Sequence, residues 1–103
     1  MTGQVLSAYT YENLTTPDAE VIVIPDGITE VESCAFWSCI ATKKIIIPTS
    51  VTQLNPWSII NCGCLEEVHY MGSQSEWDHY VKKTRNKGWL HNSGKPKITF
   101  EKN

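Results

Sequence analysis

Three short stretches of the chain carry apolar side chains at alternate positions. Within each stretch two apolar residues lie two positions apart, which is the spacing of side chains on one face of a β-strand. The pairs are Ile22 and Ile24, Ile45 and Ile47, and Val68 and Tyr70. The first two stretches end at Pro25 and Pro48, and proline cannot donate a hydrogen bond within a sheet. The pattern predicts three strands of about four residues each.

These stretches belong to an ungapped repeat of 23 residues. One shift of 23 positions carries Ile24-Pro25 onto Ile47-Pro48, and a second shift carries Ile45 onto Val68. The apolar positions between the strands match as well: Ile28 with Val51, Val31 with Leu54, Phe36 with Ile59, and Cys39 with Cys62. Because Ile28 and Val31 lie three apart, we expect a turn after each strand and then a helical or irregular return. One such unit cannot bury its own apolar face, so the units should stack with their strands in a parallel ladder about 4.8 Å apart.

The segment Val23–Phe36, followed by Cys39, resembles the repeating unit of the BspA-type leucine-rich repeat family, I-x-I-P-x-x-V-x-x-I-x-x-x-A-F-x-x-C-x-x-L. The resemblance extends from residue 5 to about residue 100. Two departures occur, since Pro56-Trp57-Ser58-Ile59 replaces the Ala-Phe segment and Thr42 stands where the family prefers leucine. The resemblance implies an α/β fold, namely a short leucine-rich-repeat solenoid with a small parallel β-ladder, an N-terminal β cap and a C-terminal helix-plus-strand cap.

We expect a single domain with caps at both ends, because a stack of units exposes its first and last members. Residues 1–20 form the N-terminal cap, residues 21–72 the repeats and residues 73–103 the C-terminal cap. The N-terminal cap should be a strand or hairpin. Its apolar residues are Val5, Leu6, Tyr9, Tyr11 and Leu14.

The C-terminal cap carries the pattern of a helix followed by a strand. Ser73 and Glu76 lie three apart, which predicts a capping box at the start of a helix of about ten residues. Trp77, Tyr80 and Val81 form the apolar stripe of that helix. The segment 97–100 predicts a final strand, offset by 30 positions from the third strand.

The resemblance also implies a function, a non-catalytic protein–protein interaction module. Proteins similar to this family are often bacterial surface or host-contact modules, and single short examples occur in phage and mobile-element genes. One narrower alternative is a phage- or mobile-element-encoded inhibitor that blocks a host defence protein. A second is a fragment of a bacterial surface adhesin.

The chain has 103 residues, of which 41% are hydrophobic and 19% are charged. This length and this composition are those of one globular domain. The start of the chain has no basic segment followed by an apolar run, and no run is long enough to span a membrane. We therefore expect a cytoplasmic protein, in the host cytoplasm if phage-encoded, and a cell-surface location if the chain is an excised fragment. No membrane contact is expected.

The net charge of −2 is unevenly distributed. Residues 1–81 carry ten acidic side chains against two lysines, a balance of −8, and residues 82–103 carry seven basic side chains against Glu101, a balance of +6. The basic group Lys82, Lys83, Arg85 and Lys87, near Trp89, could contact nucleic acid. The acidic body would repel phosphates, however, so nucleic acid is not the expected partner.

The residue types that carry chemistry do not form a catalytic or metal-binding pattern. Cys34 and Cys39 are spaced too widely, and Cys62 and Cys64 too closely, for the usual paired zinc ligands. Cys39 and Cys62 share a repeat position, which favours a core column of free thiols, although stacking would also bring them near disulfide distance. The histidines, His69, His79 and His91, are scattered. We expect no enzyme activity, no small-molecule substrate, no metal and no cofactor.

The outward-pointing strand positions are the expected partner-binding residues. They form two columns across the ladder, Val21, Lys44 and Glu67 in one and Val23, Ile46 and His69 in the other. The second column exposes apolar side chains, a feature that often marks a protein interface and would also permit a homodimer. Trp37 and Trp57, together with Ile60, are a second candidate patch on the convex turns.

Overall fold

The described part of the chain is organised around three small parallel sheets. The structure is a computed structural model and describes residues 4–6, 20–37, 39–81, 88–91, 93 and 95–102. Its elements are β1 (Gln4–Leu6), β2 (Val21–Val23), β3 (Ile28–Val31), β4 (Phe36–Trp37), β5 (Lys44–Ile47), β6 (Gln53–Leu54), β7 (Ile59–Ile60), β8 (Glu67–Ser73), α1 (Gln74–Val81), β9 (Leu90–His91) and β10 (Lys97–Lys102).

Each 23-residue unit contributes one strand to each sheet in turn. Sheet A has the order β1-β3-β6, sheet B the order β10-β8-β5-β2, and sheet C the order β4-β7-β9. The register keeps the repeat offset, because Val21 pairs with Lys44 and Lys44 pairs with Glu67. Sheet C has the same offset between Phe36 and Ile59. The predicted repeat and its parallel strands are therefore confirmed.

The return between successive strands of sheet B contains two short strands in each of the first two units, so the expected helical or irregular return is wrong there. Ile28 and Val31 are buried at the two ends of strand β3. Backbone hydrogen bonds reach across to the next unit, for example from the N–H of Thr52 to the carbonyl of Thr29 at 3.0 Å. A helix of one turn is unstable by itself, and β-branched residues favour the extended conformation.

The C-terminal elements follow the predicted pattern of a helix and then a strand. Ser73 Oγ accepts a hydrogen bond from the N–H of Glu76 at 3.2 Å, and Glu76 Oε1 accepts one from the N–H of Ser73 at 3.1 Å. This reciprocal pair confirms the capping box. Strand β10 pairs parallel with β8, with Lys97 opposite Glu67, which is the predicted offset of 30 positions.

The core lies between the three sheets and is closed by α1. Trp77 is buried, lies 5.3 Å from Tyr70 between ring centroids, and meets Trp89 edge-on at 5.5 Å. The predicted core thiols Cys39 and Cys62 are buried. The other buried apolar residues are Ile22, Ile24, Ile28, Val31, Ala35, Phe36, Ile45, Ile47, Val51, Leu54, Ile59, Ile60, Leu65, Val68 and Tyr70.

The N-terminal cap is described in one strand only. Strand β1 pairs parallel with β3, with Gln4 opposite Ile28. Tyr9, Tyr11 and Leu14 lie outside the described residues, as does the side chain of Tyr80. Among the residues that the structure describes, no helix has the length and apolar character needed to cross a membrane.

Candidate functional site

The outward face of sheet B carries the predicted partner-binding columns. Alternate residues of a strand point to opposite faces, so Ile22 is buried while Val21 and Val23 are 50% and 61% exposed. Val23 pairs with Ile46, and Ile46 pairs with His69. The structure therefore brings Val23, Ile46 and His69 together in one row, and Val21, Lys44 and Glu67 in the row beside it.

The part of this face near the carboxyl ends of β2 and β5, reaching Met71 of β8, is mainly apolar and contains a shallow groove of about 270 Å³. Val23, Ile46 and Met71 contribute apolar side chains to its lining, which also includes Asp26 and Thr49. Met71 is 37% exposed and was not among the predicted site residues. It occupies the repeat position of Pro25 and Pro48, and without proline strand β8 continues past it to Ser73. The methionine at this repeat position is visible in the sequence and indicates a longer third strand.

The other part of the face is a network of charged and polar side chains. Glu67 lies 3.8 Å from the ammonium group of Lys44 and accepts a hydrogen bond from the hydroxyl of Thr99. His69 is held from both sides, since Nδ1 lies 2.7 Å from Thr99 Oγ1 and Nε2 lies 3.1 Å from Glu101 Oε1. The face is therefore apolar at one end and charged at the other.

The hydrogen bond from Thr99 has an electrostatic consequence for Glu67. It stabilises the ionised carboxylate and so lowers the pKa of Glu67 below its ordinary value, and the positive charge of Lys44 acts in the same direction. Burial opposes the shift without reversing it. The carboxylate of Glu67 is thus a fixed negative group beside the apolar groove.

Thr99 and Glu101 were missed in the sequence because they belong to β10, which lies outside the 23-residue repeat. The predicted offset of 30 positions already placed Thr99 beside His69. Extending the second column by that offset would have found Thr99. Glu101 follows Thr99 by two positions, the spacing of side chains on one face.

The tryptophan patch is separate from the face of sheet B, since Trp37 lies on β4 of sheet C and Trp57 in the turn before β7. Trp37 is 63% exposed, and Trp57 is 51% exposed and stacks on His91 with ring centroids 5.1 Å apart. Ile60, expected as part of this patch, is buried at 9% exposure. It pairs with Trp37 on one side and His91 on the other, so neighbouring side chains flank it on both sides.

The cysteines do not form a reactive centre among the described residues. A hydrogen bond with Cys39, together with burial, raises the pKa of the Cys62 thiol far above its ordinary value. A thiol that stays protonated is a poor nucleophile and a poor metal ligand. Within the described ranges no group of three or more His, Cys, Asp or Glu side chains is placed to hold a metal ion.

The basic group Lys82, Lys83, Arg85 and Lys87 lies outside the described residues. Trp89, which was considered with it as a base-stacking residue, is partly buried against the core. Its ring contacts Trp77, so it is not presented as a flat exposed surface. The described part of this region therefore offers no stacking platform for a nucleic-acid base.

A model of the family described as BspA type leucine rich repeat region, in six copies, matches residues 4–84. This range includes every strand from β1 to β8 and helix α1. No curated protein and no solved structure matches the chain.

Proposed function

The chain belongs to the BspA-type leucine-rich repeat family, and we propose that it is a non-catalytic protein-binding module whose partner docks on the outward face of sheet B. The family indicates a protein-interaction role at the general level. The location of the binding face is our own proposal. One observation carries it, the open apolar groove at Val23 and Ile46 beside a charged rim.

The composition of this face resembles that of a protein interface. Val21 and Val23 are large exposed apolar residues on a regular strand, where a monomer has no packing reason to place them. Lys44 and Glu67 lie beside the row in an ion pair. An apolar centre with polar groups at its border can bury area while the charges select and orient the partner.

Rigidity supports the same proposal. We propose that the stacked units form a short solenoid, closed by β1 at one end and by α1 with β10 at the other. The outward side chains are then fixed by strand pairing before any partner arrives, so little conformational entropy is lost on contact.

The tryptophan patch is a second candidate contact region. Trp37 and Trp57 are more than half exposed, and tryptophan is enriched among residues that dominate binding energies. The patch lies outside sheet B, so one flat partner surface would not cover both. We rank it second because the outward face of sheet B combines exposed apolar side chains with a groove.

Two narrower roles rest on the family resemblance alone. A phage- or mobile-element-encoded inhibitor would bind and block a host defence protein in the host cytoplasm. A fragment of an adhesin would bind its partner at the cell surface. Both are forms of protein binding, and the identity of the partner distinguishes them.

The experiment compares two isoleucine variants, one in the groove and one in a turn outside it. Ile46→Glu places a charge in the groove, whereas Ile40→Glu places one in the turn between β4 and β5, where Ile40 is 69% exposed. Ile40→Glu should melt within about 2 °C of the wild type, since changes at exposed positions usually have small effects on stability. Ile46 is half-buried, so its variant is first shown to be folded by its melting curve. Tagged wild type and both variants are used for quantitative affinity isolation from the source organism.

We expect at least one protein that wild type and Ile40→Glu retain and that Ile46→Glu loses. Calorimetry with that purified protein should then show direct binding, weakened at least about tenfold by Ile46→Glu. If every retained protein also binds Ile46→Glu equally well, the outward face of sheet B is not the binding site. Loss on Trp37→Ala or Trp57→Ala would then identify the tryptophan patch.

A further inference from the structure

Strand β2 is the end strand of sheet B. It pairs with β5 on one side, and within the described ranges no strand pairs with its other side. An open strand edge presents main-chain N–H and C=O groups that can pair with another chain.

The hydrogen bonds to β5 show which main-chain groups of β2 face the open edge. The carbonyl of Glu20 accepts a bond from the first N–H of β5 at 3.1 Å, and the N–H of Ile24 donates to a carbonyl of β5 at 3.0 Å. Alternate residues of a strand direct their main-chain groups to the same side, so Ile22 also faces β5. The N–H and C=O groups of Val21 and Val23 therefore face the open edge.

The sequence of β2, Val-Ile-Val, reads the same in both directions. When a second copy lies antiparallel with the two Ile22 residues opposite each other, Val21 of each chain lies opposite Val23 of the other. Two such residues exchange both of their main-chain hydrogen bonds. The exposed valine side chains then pack as two β-branched cross-strand pairs on the outward face.

The charges around β2 are compatible with this pairing. Glu20 is the one charged residue in the segment 20–24, and it already forms an ion pair with Lys43 of its own chain at 3.6 Å. In the antiparallel register Glu20 lies opposite Ile24 of the second copy. No like charges meet directly opposite each other in this segment, an arrangement that would oppose pairing.

We propose that the open edge of β2 pairs antiparallel with β2 of a second copy of this chain, which joins two four-stranded sheets into one continuous sheet. The exposed valines of the two β2 strands meet at the two-fold axis, and β10, with Thr99 and Glu101, lies at the far edge of each sheet. The contact is much smaller than the roughly 1,200 Å² of a stable interface, so the dimer forms at high protein concentration. Val23 belongs both to this contact and to the lining of the partner-binding groove, whereas Val21 belongs to the contact alone and Ile46 to the groove alone.

Sedimentation velocity of the full chain from about 10 μM to about 1 mM tests whether the dimer forms. We expect a shift from monomer to dimer over this range. Val21→Lys and Val23→Lys should weaken association at least about tenfold, because charges at a strand edge oppose pairing. Ile40→Lys is the matched control, since it places the same charge at an exposed apolar position away from the edge, and it should associate like the wild type.

Amide hydrogen exchange of the wild type, followed by NMR, tests how the dimer forms. The amides of Val21 and Val23 should exchange at least about tenfold more slowly at high than at low concentration, whereas the amide of Ile24, bonded to β5, is protected at both. A monomer throughout, or a dimer without this protection, overturns the proposal. A dimer lost in Ile46→Glu but not in Val21→Lys indicates face-to-face association instead. Failure of Ile46→Glu to change partner binding bears on the proposed function alone.

Discussion

At the scale of single residues, a column of left-handed backbone runs along the stack. Cys34 has a φ of 63° and Trp57 a φ of 62°, and the two share one repeat position. Gly88, with a φ of 76°, accepts a hydrogen bond from the N–H of Trp57 at 2.7 Å, and the carbonyl of Trp57 accepts one from the N–H of Cys34 at 2.7 Å. The left-handed region is unfavourable for residues with a Cβ atom, so the hydrogen bonds between units maintain this conformation against local strain.

This column predicts an inverted order of stability for two variants at Cys34. In ordinary strands and helices alanine is more stable than glycine, but a Cβ atom costs about 1 kcal/mol or more in the left-handed region. We expect Cys34→Gly to be more stable than Cys34→Ala by about 1 kcal/mol, measured by urea denaturation. Equal stability, or the usual advantage of alanine, would contradict the backbone conformation described.

At the scale of the elements, strand β8 joins the repeats to the C-terminal segment. It pairs with β5 in the repeat register and with β10 at the offset of 30 positions. Through β10 the outward face gains Thr99, whose hydroxyl donates to Glu67. The charged part of the face thus depends on the pairing of β8 with β10.

The lowered pKa of Glu67 predicts how this strand pair responds to pH. A carboxyl group with a lowered folded-state pKa stabilises the fold above its unfolded value near 4.5, and this contribution is lost as the pH falls through the folded value. Thr99→Val removes the hydroxyl that is the largest single cause of the lowered pKa. The difference in melting temperature between wild type and Thr99→Val should therefore be larger at about pH 6 than at about pH 3.

The control for this prediction removes the titrating group. In a Glu67→Gln background, the effect of Thr99→Val on the melting temperature should vary less over this pH range than in the wild-type background, where Thr99 contacts both Glu67 and His69. A difference that persists unchanged to pH 3 in the wild-type background would show that the hydroxyl acts through packing and not through the carboxylate charge.

At the scale of the whole molecule, acidic and basic side chains are concentrated in different parts of the chain. The first 81 residues carry a balance of −8, and the last 22 carry +6. Exposed charges act over roughly 8 Å at physiological ionic strength, so they influence encounter more than the bound state. The apolar groove of sheet B has no such dependence on salt.

This separation predicts different effects of the basic group and of the groove on partner binding. Replacing Lys82, Lys83, Arg85 and Lys87 with glutamine should mainly slow association at low salt, with little change in affinity at physiological salt. Association rates of the partner isolated as above, measured across ionic strength, test this. Loss of binding at physiological salt in this variant, with binding retained by Ile46→Glu, would place the interface on the basic segment.

The sequence alone determined the period, the strands and the inward-facing columns. Ile22, Ile45 and Val68 share one buried column, and the capping box at Ser73 marks the start of the helix. Side-chain alternation along a strand and the spacing of capping residues are local properties, and the 23-residue shift transfers them from unit to unit. These features could therefore be derived without coordinates.

Tertiary structure alone decided how the units turn and which side chains meet outside the repeat. The spacing of Ile28 and Val31 is equally compatible with a helical turn and with a bent strand, and hydrogen bonds from the neighbouring unit select the strand. Ile60 is buried because residues of two other strands flank it. Glu101 reaches His69 because β10 lies against β8 after the helix. Each outcome depends on contacts between distant segments, whose energies exceed the local preferences that the sequence pattern records.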